Sequence, residues 1–176
     1  MVAKLPHGLV IVNTGDGKGK TTAALGMALR AVGHNQRVAF VQFIKARSAG
    51  EHEAAARLGP NLELHRMGKG FVVGGARGPE HRRAARDALE FVRQCLRAGR
   101  HDMVVADEIL TAVGLKLLAP EDVESLLADR PPHVHLVFTG RGAWDSLIQK
   151  ADLVTDMRLV KHPYEKGVMG QEGVEF

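Results

Sequence analysis

The stretch that decides the fold is Gly8-Leu9-Val10-Ile11-Val12-Asn13-Thr14-Gly15-Asp16-Gly17-Lys18-Gly19-Lys20-Thr21-Thr22. Residues 8–13 are apolar and rich in β-branched side chains, which is typical of a buried strand. Glycines and lysines then alternate, and from residue 19 to residue 32 apolar side chains recur at helical spacing until Gly33. The stretch therefore predicts a strand, a glycine-rich loop and a helix in succession.

This order of elements is that of a phosphate-binding loop, or P-loop. Loop glycines let consecutive backbone N–H groups converge on phosphate oxygens, and the N-terminus of the next helix adds partial positive charge. Lys20 supplies a full charge for the outer phosphates, and the Thr21 hydroxyl can ligate Mg²⁺. We predict that the loop binds the triphosphate of ATP through nine residues: Thr14, Gly15, Asp16, Gly17, Lys18, Gly19, Lys20, Thr21 and Thr22.

The loop departs from the strict pattern G-x-x-x-x-G-K-[ST]. Counted back from Gly19, the first position is Thr14, and the glycine comes one place later at Gly15. The loop is therefore one residue tighter than usual. The alternative interpretation is a mobile glycine-rich turn with surface lysines.

Outside this stretch, segments of strand and helix alternate. Strands are predicted at residues 37–43, 61–66, 102–106, 133–138 and, as a central strand, 153–157; helices are predicted at 51–58, 80–96, 120–128 and 143–150. Residues 67–79 form a glycine-rich loop, and the tail 158–176 is expected to be extended or looped. The pattern predicts one RecA-like P-loop α/β domain over residues 1–176, a mainly parallel sheet with helices on both faces.

In such sheets ligands bind beyond the carboxyl ends of the strands, and two further motifs fall there. Asp107 and Glu108 follow the strand at 102–106, where a carboxylate would hold Mg²⁺ opposite Thr21. The alternative for this pair is a helix N-cap. Arg141 follows the strand at 133–138 and could reach a phosphate or a carboxylate of a second substrate; the alternative is a tight turn with a solvated arginine.

The composition is that of an ordinary globular protein. Of its 176 residues 45% are apolar and 25% are charged, with a formal net charge of +4. No apolar run approaches the ~20 residues that span a bilayer, and a single cysteine, Cys95, fits a reducing compartment. The basic residues are dispersed, without the interleaved aromatic residues that bind single strands. We therefore expect a cytoplasmic protein that binds neither membrane nor nucleic acid.

Longer blocks of sequence add a resemblance. They include Gly15-Asp16-Gly17-Lys18-Gly19-Lys20-Thr21-Thr22, Val41-Gln42-Phe43-Ile44-Lys45, Gly68-Lys69-Gly70-Phe71, Asp107-Glu108-Ile109, Thr139-Gly140-Arg141-Gly142-Ala143 and Ala151-Asp152-Leu153-Val154-Thr155-Asp156-Met157. In these blocks, which occur in order over nearly the whole chain, the protein resembles the P-loop corrinoid adenosyltransferases. That family transfers the 5′-deoxyadenosyl group of ATP to the cobalt of a corrinoid.

The resemblance implies a specific chemistry. ATP would lie in the loop with its ribose C5′ facing the corrinoid, Co(I) would attack that carbon, and triphosphate would leave. Lys20, Phe71 and Arg141 would be the catalytic residues; Thr21, Asp107 and Glu108 would hold Mg²⁺. An electron donor would reduce the cobalt, and a homodimer is frequent in the family.

The resemblance also exposes three departures. Asp16 stands where the family usually has Asn, and Leu110-Thr111 where it commonly has Asn-Tyr. Phe71 matches an aromatic residue that presses on the lower face of the corrinoid, but Val73 replaces the Trp that assists it. Two hypotheses follow: an adenosyltransferase with a shifted corrinoid preference, or a P-loop ATPase or nucleotide-dependent binding module without corrinoid activity.

Overall fold

The computed structural model describes residues 7–70 and 78–174, and within them a parallel sheet organises the chain. The strands are β1 (Val10–Thr14), β2 (Val38–Gln42), β3 (Leu62–Arg66), β4 (Met103–Asp107), β5 (His135–Thr139) and β6 (Leu153–Asp156). Their order in the sheet is β3-β2-β4-β5-β1-β6, and every neighbouring pair is parallel. The predicted parallel α/β sheet is confirmed.

Helices cover both faces of this sheet. They are α1 (Lys20–Gly33), α2 (Gly50–Arg57), α3 (Pro79–Ala98), α4 (Ile109–Gly114), α5 (Pro120–Asp129) and α6 (Asp145–Lys150), followed by a 3₁₀ turn at Pro163–Lys166. Successive side chains of a strand point to opposite faces, so Val10 and Val12 pack in one apolar cluster and Ile11 in the other. The first cluster includes buried side chains of α3, α4, α5 and α6, and the second includes those of α1 and α2. Among the described residues, no helix has the length and apolar character needed to cross a bilayer.

Two elements differ from the prediction. The strand at 153–157 was expected to be central, but among the strands of residues 7–70 and 78–174 β6 pairs with β1 alone and stands at the edge of the sheet. Its Leu153 and Val154 are 47% and 37% exposed, so the apolar pair that suggested burial lies half in solvent. The short helix α4 was not predicted, because its six residues are too few to show helical periodicity.

The carboxyl ends of the strands are tied together by backbone hydrogen bonds between their loops. Phe43 N donates to Asp107 O at 3.0 Å, and Gly140 N donates to Asn13 O at 3.2 Å. Met67 N likewise donates to Gln42 O at 3.0 Å. These bonds hold the loops after β1, β2, β3, β4 and β5 at one edge of the sheet, where the sequence placed its chemical motifs.

Candidate functional site

The loop between β1 and α1 has the backbone of a phosphate cradle. Gly15 and Gly19 adopt φ angles of 97° and 108°, in the left-handed region that favours glycine. Gly19 is the N-cap residue of α1 and has no side chain that could accept a hydrogen bond from the helix. The first backbone N–H groups of α1 therefore face the loop. Asp16 and Lys18 are exposed on the outer turn, and Thr22 is exposed in the first turn of α1.

Lys20, the first residue of α1, points back into this loop. Its Nζ donates to the carbonyl oxygens of Gly15 at 2.7 Å and Gly17 at 2.6 Å. The residue is only 7% exposed, and this burial lowers the pKa of Lys20 below its ordinary value of 10.5. The loop therefore surrounds a buried ammonium group whose hydrogen-bond partners are its own backbone carbonyls.

The chain just after the edge strand β6 supports the loop from outside. Met157 N donates to Thr14 O at 2.8 Å, and Gly17 N donates to Met157 O at 2.6 Å. A Cβ atom on Gly17 would lie 2.6 Å from that same carbonyl oxygen, so no larger residue fits without moving backbone. The conformation of the loop thus depends on close approach to Met157.

Asp107, at the end of β4, meets Thr21 across the sheet edge. Its Oδ1 accepts hydrogen bonds from the hydroxyls of Thr21 at 2.9 Å and Thr139 at 2.7 Å, and its Oδ2 accepts one from Gln42 Nε2 at 3.3 Å. Asp107 is 2% exposed. Burial raises the pKa of Asp107 from 3.8 to about 6, with the charge of Glu108 adding to the rise and the three hydrogen bonds opposing it.

Glu108 follows in a strained turn. Its φ of 62° is unusual for a residue other than glycine, and its backbone N–H donates to Thr139 Oγ1 at 2.8 Å. Glu108 does occupy the N-cap position of α4, as the alternative interpretation required, but within the described residues its side chain makes no capping hydrogen bond. Instead its carboxylate accepts a hydrogen bond from the Thr111 hydroxyl.

These side chains form a donor set suited to Mg²⁺. A hydroxyl on Thr21 and carboxylates on Asp107 and Glu108 are hard oxygen donors, and Mg²⁺ prefers such donors. Within residues 7–70 and 78–174 no group of three or more His, Cys, Asp or Glu residues forms a closed metal cage. Mg²⁺ is usually held by one or two carboxylates together with substrate phosphates and water.

Arg141 lies beside the loop. Its Nη1 is 3.8 Å from Asp16 Oδ1, and the two side chains are 65% and 75% exposed. Its backbone N–H donates to Thr111 Oγ1 at 3.2 Å. Thr111, one of the departures from the family pattern, therefore connects the Glu108 carboxylate to the Arg141 backbone, whereas Leu110 beside it is fully buried in the core.

Some site residues were predicted but not located, and others were located but not predicted. Phe71 and Val73 lie outside the described residues. The roles of Gln42 and Thr139 as partners of Asp107 were missed, although each is a polar residue ending an apolar strand, which is a readable signal. The contact of Met157 is made by backbone atoms, so no side chain could have revealed it.

Sequence comparisons point to one family. The family model for ATP:corrinoid adenosyltransferase BtuR/CobO/CobP matches residues 6–176. A corrinoid adenosyltransferase from Sinorhizobium sp. is 41% identical over 172 residues, which cover 96% of this chain and 80% of the relative. A corrinoid adenosyltransferase from Pseudomonas aeruginosa is 38% identical over 175 residues, which cover 99% of this chain and 86% of the relative.

A solved structure supports the fold. The flagellar accessory protein FlaH from Methanocaldococcus jannaschii superposes with a TM-score of 0.58 over 88% of this chain and 73% of its own. Its sequence is 12% identical, so the likeness extends to the RecA-like α/β fold and no further.

Proposed function

This chain belongs to the ATP:corrinoid adenosyltransferase family, and we propose how its residues move the 5′-deoxyadenosyl group of ATP to a corrinoid. The contact that carries the proposal is the hydrogen bond from the Thr21 hydroxyl to Asp107 Oδ1, at 2.9 Å. It brings a P-loop hydroxyl and a buried carboxylate from the neighbouring strand β4 to one place. That pairing is what a bound triphosphate with its magnesium ion requires.

The P-loop is proposed to bind the triphosphate as a leaving group. In transfer to carbon the bond that breaks joins C5′ to the triphosphate oxygen, so negative charge grows on the triphosphate as the bond opens. Lys20 and the N–H groups at the start of α1 are fixed before the reaction begins, because packing and hydrogen bonds hold them. Such preorganised donors stabilise developing charge without reorganisation.

Thr21, Asp107 and Glu108 are proposed to hold Mg²⁺ against the phosphates. When bound, the ion supplies further neutralisation of the charge on the triphosphate. Thr139 and Gln42 fix the direction of the Asp107 carboxylate, and Thr111 fixes that of Glu108. The protein thus presents both carboxylates in a defined orientation rather than as mobile side chains.

The proposed transfer needs no proton acceptor from the protein. The electron pair of Co(I) forms the cobalt–carbon bond, the cobalt is formally oxidised to Co(III), and triphosphate departs with the electron pair of the C5′–O bond. An external electron donor of low potential must therefore supply the reduced cobalt. The protein binds and orients the two substrates and excludes water from them, and the reactive centre belongs to the corrinoid.

The acceptor side of the site is proposed from sequence alone. Phe71 would contact the lower face of the corrinoid, and Arg141, which lies beside the loop, would contact a phosphate of ATP or a carboxylate of the corrinoid. With Val73 in place of Trp, we propose a preference for incomplete corrinoids, which carry no lower nucleotide base to displace. The homodimer stays a prediction.

The test combines ATP, Mg²⁺ and a corrinoid under strong reduction, with products measured in two ways. Adenosylated corrinoid is followed by its absorption spectrum, and the phosphate product is identified chromatographically. We expect inorganic triphosphate in equal amount to adenosylated corrinoid, and neither product with Lys20→Ala. Orthophosphate release with an unchanged corrinoid spectrum would instead favour an ATPase.

A further inference from the structure

A line of three buried or half-buried polar side chains leads from α2 to the proposed magnesium site. His52, in the first turn of α2, places its Nε2 2.7 Å from Gln42 Oε1. Gln42, at the end of β2, places its Nε2 3.3 Å from Asp107 Oδ2. Gln42 is fully buried and Asp107 nearly so, which makes any mismatch of donor and acceptor along this line costly.

When Asp107 is ionised, one arrangement of protons fits the neutral His52 and the Gln42 amide. His52 Nδ1 is 2.9 Å from the backbone nitrogen of Ala49, which can only donate, so Nδ1 accepts and Nε2 carries the ring proton. Nδ1 is also 3.0 Å from Ala49 O, which would suit the other tautomer. In that tautomer Nε2 would accept from Gln42, and Gln42 would have to turn its carbonyl oxygen toward the Asp107 carboxylate. Two acceptors would then face each other in a buried site.

The Gln42 amide is therefore held from both ends, by His52 on its oxygen and by Asp107 on its nitrogen. With Nε2–H of His52 on its oxygen, its NH₂ group must face Asp107 Oδ2. That contact leaves Oδ1 to accept from Thr21 and Thr139, which fixes the plane of the carboxylate.

We propose that His52 is a positioning residue for the magnesium–nucleotide site, acting on Asp107 through the amide of Gln42. The proposal rests on the assignment of Asp107 to that site under the proposed function. His52 touches neither nucleotide nor metal; it acts at the end of a hydrogen-bond chain, as do the outer partners of metal ligands in general. Removing a partner bonded directly to a metal ligand commonly weakens metal affinity about 10- to 100-fold, and we expect the lower end of this range for His52, which lies one residue further out.

The surroundings of His52 make it a practical target for substitution. The ring is half-buried and lines an open groove with Ala55, Leu62 and Arg66. Replacing it therefore leaves no enclosed cavity in the core. Leucine at this position fills similar space without a hydrogen-bond donor. Glutamine carries its NH₂ the same number of bonds from the backbone as histidine carries Nε2, so it can restore the donor to Gln42.

The experiment measures the equilibrium affinity of the full chain for ATP by calorimetry, once with Mg²⁺ and once with EDTA. The ratio of the two dissociation constants reports the gain in affinity due to the metal. We expect His52→Leu to reduce this gain about 10-fold while the affinity in EDTA stays within about twofold of the parent. His52→Gln should keep the gain, and Glu53→Ala, an exposed substitution on the same helix, should match the parent.

The outcomes separate this inference from the proposed function. If the parent gains no affinity from Mg²⁺, or if Asp107→Asn keeps the gain, then Asp107 is not part of the metal site and both proposals are wrong. If Asp107→Asn loses the gain but His52→Leu keeps it, only the role of His52 is refuted. A His52→Leu variant that weakens binding equally with and without Mg²⁺, or a loss that His52→Gln does not restore, also refutes it, because packing would then explain the effect.

Discussion

The raised pKa of Asp107 predicts how the stability of the metal-free protein depends on pH. Burial raises the pKa of this carboxyl to about 6 in the folded protein, from 3.8 for an Asp exposed to water. Between these two values the folded state binds a proton that the unfolded state has released. Stability therefore falls as pH rises through this window, because the unfolded state binds fewer protons there.

The size of the effect follows from the difference between the two pKa values. A difference of about two units, at about 1.4 kcal/mol per unit, corresponds to roughly 3 kcal/mol of the free energy of unfolding. Well below pH 3.8 the contribution is absent, because the carboxyl is then protonated in both states. Above pH 6 the full loss is present. The neutral variant Asp107→Asn does not titrate and provides the reference curve.

The assay is urea unfolding of both proteins in EDTA without nucleotide, between pH 4 and pH 8. The difference in unfolding free energy between the parent and Asp107→Asn should shift against the parent by about 2.5 kcal/mol across this range, because pH 4 lies just above the lower of the two pKa values. Other titrating groups are common to both proteins and cancel in the difference. A flat difference curve would refute the reasoning, and so would a curve that rises in favour of the parent with pH.

Three further predictions concern the loop, the helix after it and the acceptor site. Gly17→Ala should abolish tight ATP binding, because its Cβ would lie 2.6 Å from Met157 O; parent-like affinity in a calorimetric titration would contradict this. Gly26→Ala, at an exposed position of α1 with no atom within 4 Å of the new Cβ, should stabilise the fold by about 1 kcal/mol. Its melting temperature should then rise by roughly 2–4 °C, and a fall would show hidden strain. Val73→Trp should raise the rate with complete cobalamin more than with an incomplete corrinoid, and an equal effect on both would count against a role in displacing the lower ligand.

Most strands of the sheet could be predicted because each is a short run of apolar residues that can be recognised from the local sequence. The run at residues 8–13 is apolar and rich in β-branched side chains. The loop after it turns through backbone conformations with positive φ that favour glycine, and Gly15 and Gly19 adopt them. The clustering of Thr21 and Asp107 also followed from the sequence, since parallel strands bring their carboxyl ends to one edge.

What could not be predicted depends on long-range order. Nothing in Leu153 or Val154 distinguishes an edge strand from a central one, because strand order is set by how helices connect and pack rather than by local propensity. The role proposed for His52 could not be inferred from the sequence for a similar reason. A lone histidine carries little information until the fold places its ring against Gln42.

The edge position of β6 has a consequence for the loop that binds phosphate. An outermost strand has a neighbour on one side only, so it is the part of a sheet that frays first, and here the four residues of β6 are all exposed. Thr14 and Gly17 are nevertheless bonded to Met157, one residue beyond that strand. Any event that detaches this edge strand, whether warming, a protease or removal of the chain beyond residue 152, would also remove the two hydrogen bonds that hold the nucleotide loop to Met157.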